Sequence, residues 1–182
     1  MSDLDSRLYF KTLGPGRRAI YGGRGQWPEV GVWTDPRRVI PYISGWYMAR
    51  PRELLSWLAP EIYLARGEGV VVRGEWVVAE RAVLVQRLPW DDRVAQLFSC
   101  DCAERALNLY GGEVDPRSRD AVSVGRLFAV GKATLKELSA AHAAANAAAW
   151  PAAWSAARSA EHRWQIKHLM ETYLGVNLED DA

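Results

Sequence analysis

The spacing of apolar residues changes character once along the chain, at Leu88-Pro89-Trp90-Asp91. Before it, apolar residues come in short runs broken by glycine and proline, the pattern of strands and turns. Residues 7–13 read as a first strand ending at Gly14-Pro15-Gly16, and 30–34 and 39–43 as short extended pieces separated by Asp35-Pro36. Residues 51–58 read as a short helix opened by proline, with Leu54, Leu55 and Leu58 as its apolar stripe. Residues 61–65, 70–73 and 76–88 are rich in valine and aromatics, and the last two predict a hairpin around Gly74-Glu75.

After the change the period becomes helical. Val94, Leu97, Phe98, Cys102, Ala106 and Leu109 recur at helical spacing through 92–110, with Asp101, Glu104, Arg105 and Asn108 on the other side and Gly111-Gly112 as the stop. A second helix is predicted over 116–130, with Val124, Leu127 and Phe128 apolar and Gly131 at its end. The alanine-rich run 134–174 opens with a capping box, Thr134-Leu135-Lys136-Glu137, and closes before Gly175. Pro151 either kinks one helix or begins a second. Alanine favours helix but buries little area, so the run suits close interhelical approach. Trp150, Trp154, Trp164, Ile166, Leu169, Met170, Tyr173 and Leu174 supply the burial, and Trp150 and Trp154 can alternatively anchor a partner. Short connections favour antiparallel neighbours. The expectation is an α+β protein: a small sheet-rich domain over 1–89 packed on an antiparallel helical bundle over 90–178.

Composition argues against disorder, because 49% of the 182 residues are apolar and nine are tryptophan. The acidic start Met1-Ser2-Asp3-Leu4-Asp5 is not a signal peptide, and no apolar run is long enough to span a bilayer. These features point to a cytoplasmic protein without membrane contact. Charge is uneven: residues 1–90 carry 13 basic and 9 acidic side chains, and 91–182 carry 10 and 13. Within 11–52, Lys11, Arg17, Arg18, Arg24, Arg37, Arg38, Arg50 and Arg52 face only Glu29 and Asp35.

Catalytic and metal-binding constellations do not stand out. Cys100 and Cys102 are two apart on a helix, so they read as small buried thiols that neither bridge each other nor share a metal. His142, His162 and His168 lack metal-ligand spacing. No serine elbow or paired-carboxylate signature is present. Gly22-Gly23-Arg24-Gly25 reads as a turn or as a phosphate cradle, but lacks a P-loop ending. The arginines of 11–52 interleave with Tyr21, Trp27, Trp33, Tyr42, Trp46 and Tyr47, a pattern that serves single-strand binding or protein interfaces. The simpler alternative is tryptophans filling the core beneath solvated arginines.

Residues 20–28, 41–51 and 100–107 and the alanine/tryptophan tail follow a recognisable order. The chain resembles uncharacterised proteins of high-GC bacteria and their phages, in which a small domain precedes a Cys-Ala-Glu-Arg helix. Its second half, through Cys100-Asp101-Cys102-Ala103-Glu104-Arg105-Ala106-Leu107 and the tail, resembles the immunity-protein family. Such relatives carry Cys-His before the paired glycines, where this chain has Ile20-Tyr21, and a Cys…Gly-Tyr-His-x-Cys segment, where it has Tyr42…Gly45-Trp46-Tyr47-Met48-Ala49. Any metal or catalytic chemistry of those groups is lost here.

Together these readings predict a non-catalytic macromolecule-binding protein of phage or mobile-element type, inhibitor or immunity-like, with no cofactor and no metal. It binds a protein partner through a basic/aromatic face of Arg17, Arg18, Arg24, Trp27, Arg37, Arg38 and Trp46. One alternative is a nucleic-acid-binding module using the same face. Another is an enzyme similar in outline to ADP-ribosyltransferases, from a small split sheet beginning at Tyr9-Phe10-Lys11, with a degenerate or unrecognised site.

Overall fold

The valine- and aromatic-rich runs of the N-terminal half pair into two three-stranded antiparallel sheets, so the chain is α+β. The computed structural model describes residues 3–40, 43–109, 113–146 and 158–177. One sheet has the order β1 (Tyr9–Leu13), β3 (Glu61–Glu68), β6 (Arg81–Arg87). The other has the order β2 (Trp46–Met48), β5 (Trp76–Ala79), β4 (Val71–Arg73). β3 is paired on both edges, from Tyr9↔Ala65 to Leu13↔Glu61 on one side and from Tyr63↔Arg87 to Glu68↔Arg81 on the other. Tyr9, Leu13, Tyr63, Ala65 and Leu84 from the first sheet share one buried cluster with Met48, Val77 and Ala79 from the second. Fully burying a large apolar side chain contributes about 1.5–3 kcal/mol, so this cluster is what holds the two sheets together.

The β4–β5 hairpin turns at Gly74, as the sequence predicts. Three expectations are corrected. Among the described residues, 30–34 and 39–43 form no strand and make single bridges, Trp33↔Val83 and Ile40↔Ser44; Gly31, at φ 85, breaks the extended path of the first, and Pro41 has no N–H to give a ladder in the second. The run 76–88 divides at Glu80, whose N–H turns back to the Glu68 carbonyl at 3.0 Å, so each half joins a different sheet. The proline-led segment is a 3₁₀ helix, Pro51–Trp57, in which Leu54 is fully buried and Leu55 only half.

Two compact units result: Met1–Trp90 together with Ile166–Ala182, and Asp91–Gln165. In the second, α1 (Asp92–Leu109) and α3 (Leu135–Asn146) both pack against α2 (Pro116–Ala129). Asp91 and Asp115 cap the first two helices by accepting N–H groups of Val94 and Arg117 at 2.8 and 2.9 Å. The predicted box at α3 is formed: Glu137 accepts from the Thr134 N–H at 2.7 Å and its own N–H returns to Thr134 Oγ1 at 3.3 Å. α4 (Arg158–His168) continues into a π-helical turn, Leu169–Leu174, stopped by left-handed Gly175. The predicted stop at Gly111-Gly112, Trp150, Pro151, Trp154 and the acidic tail lie outside the described residues.

The apolar faces of α1 and α2 also need correction. On α1, Phe98, Cys100 and Leu107 are buried and Leu109 is exposed. On α2 the buried stripe is Ser118, Ala121 and Gly125, while Leu127 is exposed. On α2 small residues take the inner face because α1 comes too close for large ones. A Cβ built on Gly125 would lie 2.8 Å from Cys100 Sγ. Gly125→Ala is therefore expected to lower the stability of this unit by ~1–3 kcal/mol in urea unfolding, with much of the loss recovered in a Cys100→Ala background.

Candidate functional site

In the first unit the chain between β1 and β2 folds back as an irregular hairpin, and one buried carboxylate fastens its base. Glu61, at the start of β3, accepts the N–H groups of Gly16 and Arg17 at 3.1 and 3.0 Å and the Tyr63 hydroxyl at 2.9 Å. Arg17 is held at φ 61 in the process, and its guanidinium pairs with Glu29. Burial works against the Glu61 carboxylate, but the Arg17 N–H, the Tyr63 hydroxyl, the Gly16 N–H and the charge of Arg87 outweigh it and lower its pKa.

Beyond that base, Arg18 bridges Gln26 and the Ala19 N–H donates to Gly25 O at 2.9 Å. The tip is a tight turn in which Gly23 N–H closes on Ile20 O at 3.2 Å, with Tyr21 at φ 55 and Gly22 at φ 84. Positive φ at both central positions is the geometry of a type I′ turn; it suits glycine and strains tyrosine. Tyr21 is held there from outside: its hydroxyl donates to Leu58 O at 2.6 Å and its ring meets Trp57 edge-on at 5.1 Å. The paired glycines are thus a turn, with the Gly23 N–H already used.

Hairpin, 3₁₀ helix, β1, β2 and β5 together line a cleft of about 840 Å³. Its rings form two series. Tyr21 contacts Trp57, Trp57 contacts Trp76 at 4.7 Å, and Trp76 contacts Tyr47 at 5.6 Å. Trp27 contacts Trp46 at 4.9 Å, Arg37 stacks over Trp46 at 4.0 Å, and Trp46 Nε1 donates to Asp35 O at 2.9 Å.

Lys11 enters this cleft from β1. Strand alternation puts Tyr9, Lys11 and Leu13 on one face, and both neighbours belong to the buried cluster. Lys11 Nζ donates to Tyr47 O at 3.0 Å and lies 4.9 Å from the centre of the Trp27 ring. Among the described residues no carboxylate pairs with it. Desolvation pushes its pKa from 10.5 down to about 8. The Tyr47 hydroxyl is buried and also lacks a partner among the described residues.

Of the seven side chains singled out in the sequence, Arg24, Trp27, Arg37 and Trp46 line this cleft. Trp27 is buried at 4% exposure, within the core. Arg17 is half-buried and paired with Glu29, and Arg18 and Arg38 are exposed away from the cleft lining. Arg50 and Arg52 are both engaged by buried Glu53. Lys11, Tyr47, Trp57 and Trp76 were not singled out as site residues. Alternation within residues 9–13 is the signal that marks Lys11, a cation at an inward strand position.

The second unit spends its polar residues on joining helices. Arg126 of α2 reaches Asp101 at 2.6 Å and Glu104 at 2.7 Å on α1. Arg105 of α1 reaches Glu161 of α4 at 2.8 Å and stacks over Trp164 at 4.2 Å. Cys100 and Cys102 are free thiols whose pKa values burial raises, that of Cys102 to about 12. Residues 91–176 match the family described as Imm-5 like putative immunity protein. The helical half is similar to that family. No curated protein and no solved structure matches the chain. The segment 100–107 holds Asp101, Glu104 and Arg105, which tie α1 to its neighbours. Among the described residues, no helix is long and apolar enough to cross a membrane, and no cluster of three or more His, Cys, Asp or Glu is placed to hold a metal ion.

Two stability predictions follow from the buried charges. Glu61 has a lowered folded-state pKa, so its contribution is present above pH 4.5 and lost as pH falls below it. Glu61→Gln should cost ~1–3 kcal/mol at pH 7 in chemical unfolding and flatten the acid limb of the stability profile. Lys11 has the opposite effect. Its lowered pKa is a penalty at full size below about pH 8 that fades as pH rises to 10.5. Lys11→Met should therefore stabilise the protein by ~1–3 kcal/mol at pH 7, and by progressively less above pH 8.

Proposed function

We propose that the chain is a non-catalytic immunity-type protein that acts by binding a protein partner. The match of residues 91–176 to the Imm-5 like family carries this reading. The helical unit supports it: Asp101, Glu104, Arg105 and Arg126 are engaged with one another or with Glu161, and burial keeps the two thiols protonated. Such a domain recognises by shape and charge, and its polar groups are not set up for proton transfer or nucleophilic attack.

The partner-contacting surface we assign is the basic/aromatic N-terminal face. Arg18, Arg24, Arg37 and Arg38 are each exposed, and Arg37 is stacked on Trp46. A stacked guanidinium is pre-organised to meet an acidic group, and Arg with Trp is the pairing enriched at binding hot spots.

Affinity capture of the full chain from its host, read by mass spectrometry beside an Arg37→Glu/Arg38→Glu variant, tests this reading. The expected result is a protein captured by the wild type and lost by ~10-fold or more from the variant. Equal capture by both removes the surface assignment. Capture only through nucleic acid, falling steeply with salt, would favour the nucleic-acid alternative.

A further inference from the structure

The cleft in the first unit has an interior that the exposed arginines of the partner surface do not account for. Its cation lies at depth, because Lys11 projects from the inward face of β1 between buried Tyr9 and Leu13. Its size, about 840 Å³, is within the range of pockets for small organic ligands. Its walls are rings: Tyr21, Trp57, Trp76 and Tyr47 in one series, Trp27 and Trp46 in the other. Tyr21 bridges the hairpin tip to the 3₁₀ helix through Leu58 O.

Two polar groups in it are incompletely matched. Lys11 has three N–H donors and uses one, on Tyr47 O; the ring of Trp27 offers only weak compensation for its charge. The Tyr47 hydroxyl is buried without a partner among the described residues. Leaving a buried cation and a buried hydroxyl incompletely paired costs folding free energy, and an anionic group beside Lys11 would pair the cation. A cationic ligand would be repelled by Lys11, Arg24 and Arg37, all of which line the cleft. The ring walls favour a flat body that presents its face or edge.

We propose that this cleft binds a small molecule with a planar aromatic body and one anionic group, phosphate or carboxylate, the anion meeting Lys11 and the body lying among the tryptophans. The site shares Arg24, Trp27, Arg37 and Trp46 with the partner surface assigned above, but it does not rest on the immunity reading. Arg37 belongs both to the cleft lining and to the assigned partner surface, so Lys11, which is not part of that surface, is the residue that tests the ligand separately.

The test uses the full chain and four probes in two pairs: adenosine monophosphate with adenosine, and indole-3-acetate with indole. Binding is read by quenching of tryptophan fluorescence and by calorimetry. At least one anionic probe is expected to bind about tenfold or more tightly than its neutral counterpart, and which pair responds separates phosphate from carboxylate. Lys11→Met, which keeps the stem and removes the charge, should abolish that preference while leaving the melting temperature equal or higher. The proposal is overturned if neither anion binds below about 10 mM, if each neutral probe binds as well as its anion, or if the preference survives in a folded Lys11→Met protein.

Discussion

A carboxylate taken out of water must be met by donors, and the first unit is arranged around how Glu61 meets this demand. It finds them in the Gly16 and Arg17 N–H groups and the Tyr63 hydroxyl, with Arg87 adding charge at 3.4 Å. One side chain thereby ties the centre of a sheet to the loop leaving β1. The hairpin that follows carries Tyr21, Arg24 and Trp27, so the shape of the cleft depends on this clamp. The conformations it imposes are unfavourable locally, Arg17 and Tyr21 both lying at positive φ. Contacts distant in sequence, from Glu61 and Leu58, hold them.

That dependence explains which parts of the molecule are legible in the sequence. The α+β class, the Gly74 hairpin, the Thr134 capping box and the Gly175 stop are local signals, and each appears where period and turn chemistry put it. The division of 76–88 between two sheets is not local, because Glu80 takes its direction from Glu68, twelve residues away. The inner face of α2 departs from its hydrophobic pattern for a related reason. Hydrophobicity points to Leu127, whereas the interface selects Ser118, Ala121 and Gly125 for their size.

The site is legible in parts. The excess of arginine and tryptophan in 11–52 is plain, and four of the seven residues chosen from it line one cleft. Their role is not readable from composition: Trp27 belongs to the core, and Arg17, Arg50 and Arg52 are spent on Glu29 and Glu53. Lys11 was visible only as one more charge. Its meaning comes from the strand period, which turns it inward, and from β2, which supplies the carbonyl it binds.

The path of the chain between units has a consequence of its own. The helical unit begins at Asp91 and ends at Gln165, whereas the family match runs on to residue 176. The chain thus leaves the sheet-bearing body and later rejoins it, as an insertion does. Buried Ile166, Leu169, Met170 and Leu174 fall inside the family's borders yet belong to the other body. A fragment cut at those borders would strip four apolar anchors from one body and carry them as sticky ballast on the other, so the matched stretch and the compact unit do not share an end.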